Sequence, residues 1–170
     1  MSMPSGSHGR RSTNDDDLPG PVSAVRELVG LLEGLERDGT TVMDLARTGQ
    51  PIQPWRLYPE ENGIFDVRSR NQFYYHAHDD EHDEGGHFHT VRLLADRTVH
   101  LGAVSMAQDG WPRALFTVNL WVIGDAYESS HHIKKYASRF WIDEGLGPPA
   151  LVRFMNLDLR RQAAETVDPA

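Results

Sequence analysis

Cysteine is absent from the 170 residues. That absence removes disulfides, thiolate zinc sites, iron–sulfur clusters and a cysteine nucleophile together. Any metal held by this chain has to be held by His, Asp, Glu or water. Basic residues are outnumbered, 17 Lys and Arg against 25 Asp and Glu, for a net charge of −8 with His neutral. Such a balance offers little grip on phosphate or anionic lipid, which argues against nucleic-acid and membrane partners. No apolar run approaches the ~18 residues that a bilayer span needs. The first twenty residues, MSMPSGSHGRRSTNDDDLPG, hold no apolar stretch of the secretory kind. With the missing cysteine this makes the cytoplasm the expected compartment. Glycine-rich phosphate loops and serine-nucleophile motifs are also lacking, so nucleotide and acyl chemistry are unsupported.

Histidine, by contrast, is concentrated. Nine are present, and five of them (His76, His78, His82, His87 and His89) fall in the stretch FYYHAHDDEHDEGGHFHTV, residues 73–91. Five carboxylates, Asp79, Asp80, Glu81, Asp83 and Glu84, lie among them.

The surrounding chain reads as α+β. Residues 1–19 are polar and unpatterned and are expected to be a disordered tail; His8 within it is given no role. Residues 20–168 are expected to form a single domain. Val22, Val25, Leu28, Val29, Leu32 and Leu35 recur at helical spacing over 22–37, with Asp38-Gly39 as a stop. A second short helix fits TTVMDLART, where Thr41 and Asp44 have capping-box spacing. Strands are expected at 71–78, 87–94, 99–107 and 113–123, with Asp109-Gly110 as a hairpin turn. Helical spacing returns in DAYESSHHIKKYASRFWI and, after Pro148-Pro149, in ALVRFMNLDLRRQAAE. The expected fold is a four-stranded antiparallel β-meander with the N-terminal and C-terminal helices packed on one face.

On a hairpin the histidine spacing has a geometric consequence. If opposed residue numbers add to 165, His76 faces His89 and His78 faces His87. Side chains two apart on a strand share a face, so all four imidazoles would meet on one side. A slip of one residue would scatter them to both faces. Imidazole nitrogens bind first-row ions at about 2.0–2.1 Å, so three or four such rings can chelate a divalent transition metal: Fe, Zn, Mn or Cu. Glu81 is a candidate carboxylate ligand, and Glu84 is an equal alternative on spacing. A solvated polar face and a metal-free acid–base pocket are the other readings of the same cluster.

Pairing sums of 193 and 219 for the next two strand pairs extend the His rows through Val104 and Leu115 and through Met106 and Arg113. Arg113 is therefore a candidate for binding a substrate carboxylate or phosphate. Asn119, with Thr117 and Trp121, is a candidate substrate-orienting wall. Tyr74 lies one step from His76 on the His face and is a candidate proton donor. Phe73, Tyr75 and Phe88 point to the core. His100 shares the His face but lies roughly 13 Å along the strand from His89, too far for contact unless the sheet is bulged. His131 and His132 are expected on a helix surface.

The segments PWRLYPEENGIFDVRSRNQFYYHAH, GHFH and HLGAVSMAQDGWPRALFTVNLWV resemble an uncharacterised bacterial domain family with a YYHAH…GHFH core followed by an LFTTN-Arg-W-V strand. The resemblance spans about residues 50–160 and includes Trp55, Tyr58, Pro59, Asp66, Asn119 and Trp121. Val118 stands where that pattern has Thr, and Leu120 where it has Arg. The likeness strengthens the histidine site and names no reaction. Cupins offer a fainter analogy, through HxH followed by Glu81, but the close second pair and the few strands do not fit a jelly roll.

Three functions follow as expectations. The first is a metal-dependent enzyme acting on a small molecule, hydrolytic or oxidative. The second is a non-catalytic metal-binding accessory, carrier or sensor protein. The third is a metal-free interaction domain. The sequence leaves oligomeric state open.

Overall fold

The computed structural model describes residues 21–78, 84–118 and 128–165. The expected disordered tail, and with it Glu81, His82, Asn119 and Trp121, lie outside the described residues. Helix α1 (Pro21–Arg37) opens the described chain and α2 (Val42–Arg47) follows. Thr41 caps α2 as its spacing predicts: its hydroxyl accepts from Asp44 N, and the Asp44 carboxylate accepts from Thr41 N at 3.0 Å. Five strands come next: β1 (Ile64–Asp66), β2 (Asn71–His76), β3 (Gly86–Leu93), β4 (Thr98–Met106) and β5 (Pro112–Phe116). They pair antiparallel in chain order. After them come α3 (Ser130–Ser138), a 3₁₀ turn at Glu144–Leu146 and α4 (Pro149–Glu165).

The α+β meander is thus present with one strand more than the four expected. β1 is only three residues long, too short to register as an alternating pattern. The expected stripe on α1 is also rotated. Ala24, Leu28 and Leu32 face inward, while Val22, Val25 and Val29 are exposed. The valines fit helical spacing, but burial follows the edge that meets α4.

Nearly every residue of α4 from Leu151 to Arg160 is buried, because the helix lies between the sheet and the other helices. Phe154 packs on Phe88, with ring centroids 5.7 Å apart. Phe73, Tyr75, Phe88, Val104 and Met106 line this side of the sheet and join one core with Leu151, Phe154 and Met155. Asn156 belongs to the same helix. It accepts from Ile142 N at 3.0 Å and donates to Ile142 O at 2.9 Å, satisfying the backbone that enters the 3₁₀ turn.

The other face of β2 and β3 carries histidine. A strap, residues 51–58, runs along the outer edge of β2. Trp55 N donates to Ala77 O, and Tyr58 exchanges backbone bonds with Tyr75. The Tyr58 hydroxyl donates to Pro51 O and accepts from Gln53 N, tying the strap to itself. Asp66 accepts from the backbone of Arg68, Ser69 and Asp143. Tyr58 and Asp66 are therefore scaffold residues.

Gly86 is where the chain re-enters the sheet, at φ 111°. A Cβ there would stand 2.7 Å from His76 O and from the Tyr75 ring. Gly86→Ala therefore meets both a disfavoured backbone region and a clash. It is expected to destabilise the fold by more than about 1 kcal/mol in urea titration; an unchanged midpoint would contradict this packing of the hairpin.

Candidate metal centre

Pairing of β2 with β3 sets the site. The observed partners are Asn71↔Arg92, Tyr74↔His89 and His76↔His87, a sum of 163 in place of the expected 165. A shift of two keeps every side chain on its face and changes only its neighbour. His76 therefore opposes His87, Tyr74 takes the place opposite His89, and His78 lies past the end of β2.

The three ring nitrogens Nε2 of His76, His87 and His89 converge. His76 Nε2 is 2.7 Å from His87 Nε2 and 3.1 Å from His89 Nε2. One ligand atom from each residue lies within 4.8 Å of the other two. His78 adjoins this group without entering it: its ring centroid is 4.8 Å from that of His87 and 5.0 Å from that of His76. His87 and His89 are buried, and His76 is half-buried.

Each ring is held from outside the cluster. Tyr74 stacks on His89, centroids 5.0 Å apart and planes 19° apart. Phe116 sets its edge against His87 at 5.4 Å and His89 at 6.1 Å. Trp55 stacks on His78 at 4.2 Å while remaining 65% exposed. Its φ of 66° is left-handed, an uncommon and costly state for a bulky residue. Glu84 Oε1 lies 3.5 Å from His87 Nδ1, on the side away from the converging nitrogens. Glu84 thus stands behind a ring rather than among the three nitrogens.

β4 departs from expectation by one residue. His87 opposes Ser105 and His89 opposes Ala103, a sum of 192 in place of 193. An odd shift exchanges the faces, so Val104 and Met106 belong to the core and Ala103 and Ser105 share the histidine face. A bulge then interrupts the ladder: Thr90 opposes Gly102 and Val91 opposes His100, with Leu101 between them. His100 Nε2 consequently reaches 3.0 Å from His89 Nδ1, and the expected separation of these residues is overturned.

The sum of 219 for β4 and β5 holds at Ala103↔Phe116, Val104↔Leu115 and Ser105↔Ala114. A second irregularity at Met106 brings Pro112 opposite it, where the expected partner is Arg113. Arg113 is exposed on the edge strand, outside the row in which it was expected. Of the expected wall, Thr117 is exposed. The expected helix-surface reading of His131 and His132 holds; His132 Nδ1 sits 2.6 Å from Glu128 Oε1.

Two clefts border the cluster. One, of about 280 Å³, includes His78 and Glu84 with Arg47, Ile52 and Gln108 in its lining. The Arg47 guanidinium pairs with the Asp44 carboxylate there. The other, of about 500 Å³, is mostly apolar, and Phe116 is a wall it shares with the cluster. Sequence periodicity could not find Arg47, because α2 and the hairpin meet only in three dimensions. His100 did carry a signal: Gly102, inside a strand, is a common mark of a bulge.

Fold and site together define an α+β protein with an imidazole cluster buried against one face of an antiparallel sheet. The chain belongs to the family described as Domain of unknown function (DUF6969), whose model matches residues 22–159. No curated protein and no solved structure matches it. The matched span includes all three converging histidines and His100. No helix among the described residues is long and apolar enough to cross a membrane.

Burial, reinforced by the neighbouring imidazoles, holds His89 down to about 2, and burial holds His100 down to about 4. Both rings are neutral near pH 7, with lone pairs to share. In the unfolded chain each titrates near 6.5. The unfolded state therefore takes up protons first on acidification, and stability present above pH 6.5 falls as pH drops. The loss is at most about 1.4 kcal/mol per pH unit per ring, over pH 6.5 to 4 for His100 and further for His89. Urea unfolding of the metal-free protein at pH 7.5, 6 and 5 is expected to give steadily lower stability, with a shallower slope for His100→Leu; a flat profile in the parent chain would contradict the neutral buried rings.

Proposed function

We propose that His76, His87 and His89 hold one divalent first-row transition ion, and that the centre serves a metal-dependent enzyme acting on a small molecule. The observation that carries this reading is the convergence of three Nε2 atoms at 2.7 Å and 3.1 Å from the shared member, His76. Imidazole donors suit Fe(II), Mn(II), Zn(II) and Cu(II), so the residues present would fit any of these ions. With only three protein ligands, such an ion would keep room for water, oxygen or substrate, which hydrolytic and oxidative chemistry both use. A bound divalent ion would supply Lewis acidity there.

In the metal-free chain His76 Nε2 lies within hydrogen-bond distance of the Nε2 of both His87 and His89, and a proton on it can be donated to one of them at a time. An ion bound there would need all three Nε2 atoms bare, with each neutral ring carrying its proton on Nδ1, so uptake should weaken where acid charges the rings. Glu84 Oε1, 3.5 Å from His87 Nδ1 and short of a hydrogen bond, favours by its charge a proton on that nitrogen and so a bare Nε2. The remaining residues bind and shield. Phe116 and Tyr74 pack against the rings, Trp55 covers His78, and the neighbouring clefts offer space for substrate. Arg47 is better placed than Arg113 to meet an anionic group, since it lines the cleft that contains His78. Asn119 and Glu81 remain candidate partners from the sequence pattern alone.

The alternative is a carrier or sensor, for which the half-buried His76 and His78 would be the point of exchange. Anaerobic reconstitution with Fe(II), Mn(II), Zn(II) and Cu(II), followed by elemental analysis, tests the proposal. About one ion per chain is expected, falling well below one in His76→Ala, His87→Ala and His89→Ala. Cu(II) should quench tryptophan fluorescence, and Trp55→Phe should remove most of the quench, because the Trp55 and His76 rings are 6.4 Å apart. Failure of all four ions to bind stoichiometrically would end the metal reading. Stoichiometric binding with release to a chelator within seconds would favour the carrier.

A further inference from the structure

The structure assigns His100 a positioning role: it fixes which nitrogen of His89 faces the centre. The inference deepens the metal reading above and rests on it for its functional meaning, though its structural part stands alone.

The argument begins with the backbone. Along β4, Val104 and Gly102 oppose Phe88 and Thr90. Unbroken alternation would send His100 to that same face, into the apolar core beside Phe88. The ladder is broken instead. Leu101 is the extra residue, it is buried in the core, and His100 is returned to the histidine face opposite Val91. A bulge costs ladder pairing. What this one obtains is a specific contact, His100 Nε2 to His89 Nδ1 at 3.0 Å, with both side chains buried.

A neutral imidazole has one donor and one acceptor nitrogen. If His100 Nε2 accepts, His89 carries its proton on Nδ1, and its Nε2 is bare. That bare nitrogen is the one 3.1 Å from His76 Nε2. His100 then carries its own proton on Nδ1. The pair forms a relay that settles the tautomer and the ring angle of His89 before any ion arrives. Outer partners of this kind are commonly worth 10- to 100-fold in metal affinity. Tyr74, stacked on His89, restrains the ring plane but cannot choose between its nitrogens.

Two measurements separate this role from the metal reading. In the metal-free protein, ring ¹⁵N shifts report the tautomer directly. His89 is expected to be protonated on Nδ1 with Nε2 bare, and His100→Leu should mix the two forms; an Nε2-protonated His89 in the parent chain would overturn the assignment whether or not metal binds. In the second, Mn(II) or Co(II) is titrated into the parent, His100→Gln and His100→Leu proteins. His100→Leu, which has no acceptor, should bind 10- to 100-fold more weakly with unchanged stoichiometry and an altered Co(II) ligand-field spectrum. His100→Gln, whose amide oxygen can accept, should recover most of the affinity. Equal binding by His100→Leu and the parent, or no recovery by His100→Gln where it keeps the parent melting temperature, would overturn the role.

Discussion

The parity of strand pairing governs this molecule. Side chains alternate along a strand, so whether two opposed residue numbers add to an odd or an even total decides which groups share a face. On β2 and β3 the total is odd, and that alone separates the imidazoles of His76, His87 and His89 from the aromatic rings of Phe73, Tyr75 and Phe88. One set is pressed against α4 and the other is left to make a polar site. The helix side supplies rigidity: a close-packed apolar layer lies directly behind each histidine on the same strand. The site inherits its definition from that packing.

The same rule explains what could be read from residue order. Spacing of two within HxH, repeated across a short loop, put these histidines on one face without any structure, and the error of two in register did not disturb that result. The odd error between β3 and β4 did: it assigned Val104 and Met106 to the wrong side. Turn chemistry at Asp109-Gly110 gave the β4–β5 pairing correctly until the irregularity at Met106, which displaced Arg113. Bulges depend on tertiary fit, here the accommodation of Leu101 against the core, and alternation patterns are blind to them. β1 was missed for a simpler reason, since three residues carry no period. The capping pair Thr41 and Asp44, by contrast, is a local device and was legible as such.

Buried histidine is commonly costly, because a ring nitrogen without a partner loses hydration and gains nothing. Here the rings partner one another, in a chain from His87 through His76 and His89 to His100. Such a network is cooperative: each ring's proton placement constrains the next. It also makes the site sensitive to composition. An isosteric change at any ring leaves a neighbour with the wrong nitrogen presented, even where the fold is intact. Membership of a domain family of unknown function over residues 22–159 places this histidine chain, the five strands and most of the helices that back them inside the matched unit.

The strap beside β2 has a bearing on traffic into this interior. Pro51 and Pro54 stiffen it, and backbone bonds fasten it at Ala77 and Tyr75. Trp55 projects from it in a left-handed backbone state, held by its backbone bond to Ala77. The indole covers His78 from a segment outside the five strands, so the cover and the sheet that presents the imidazoles are set by separate stretches of chain.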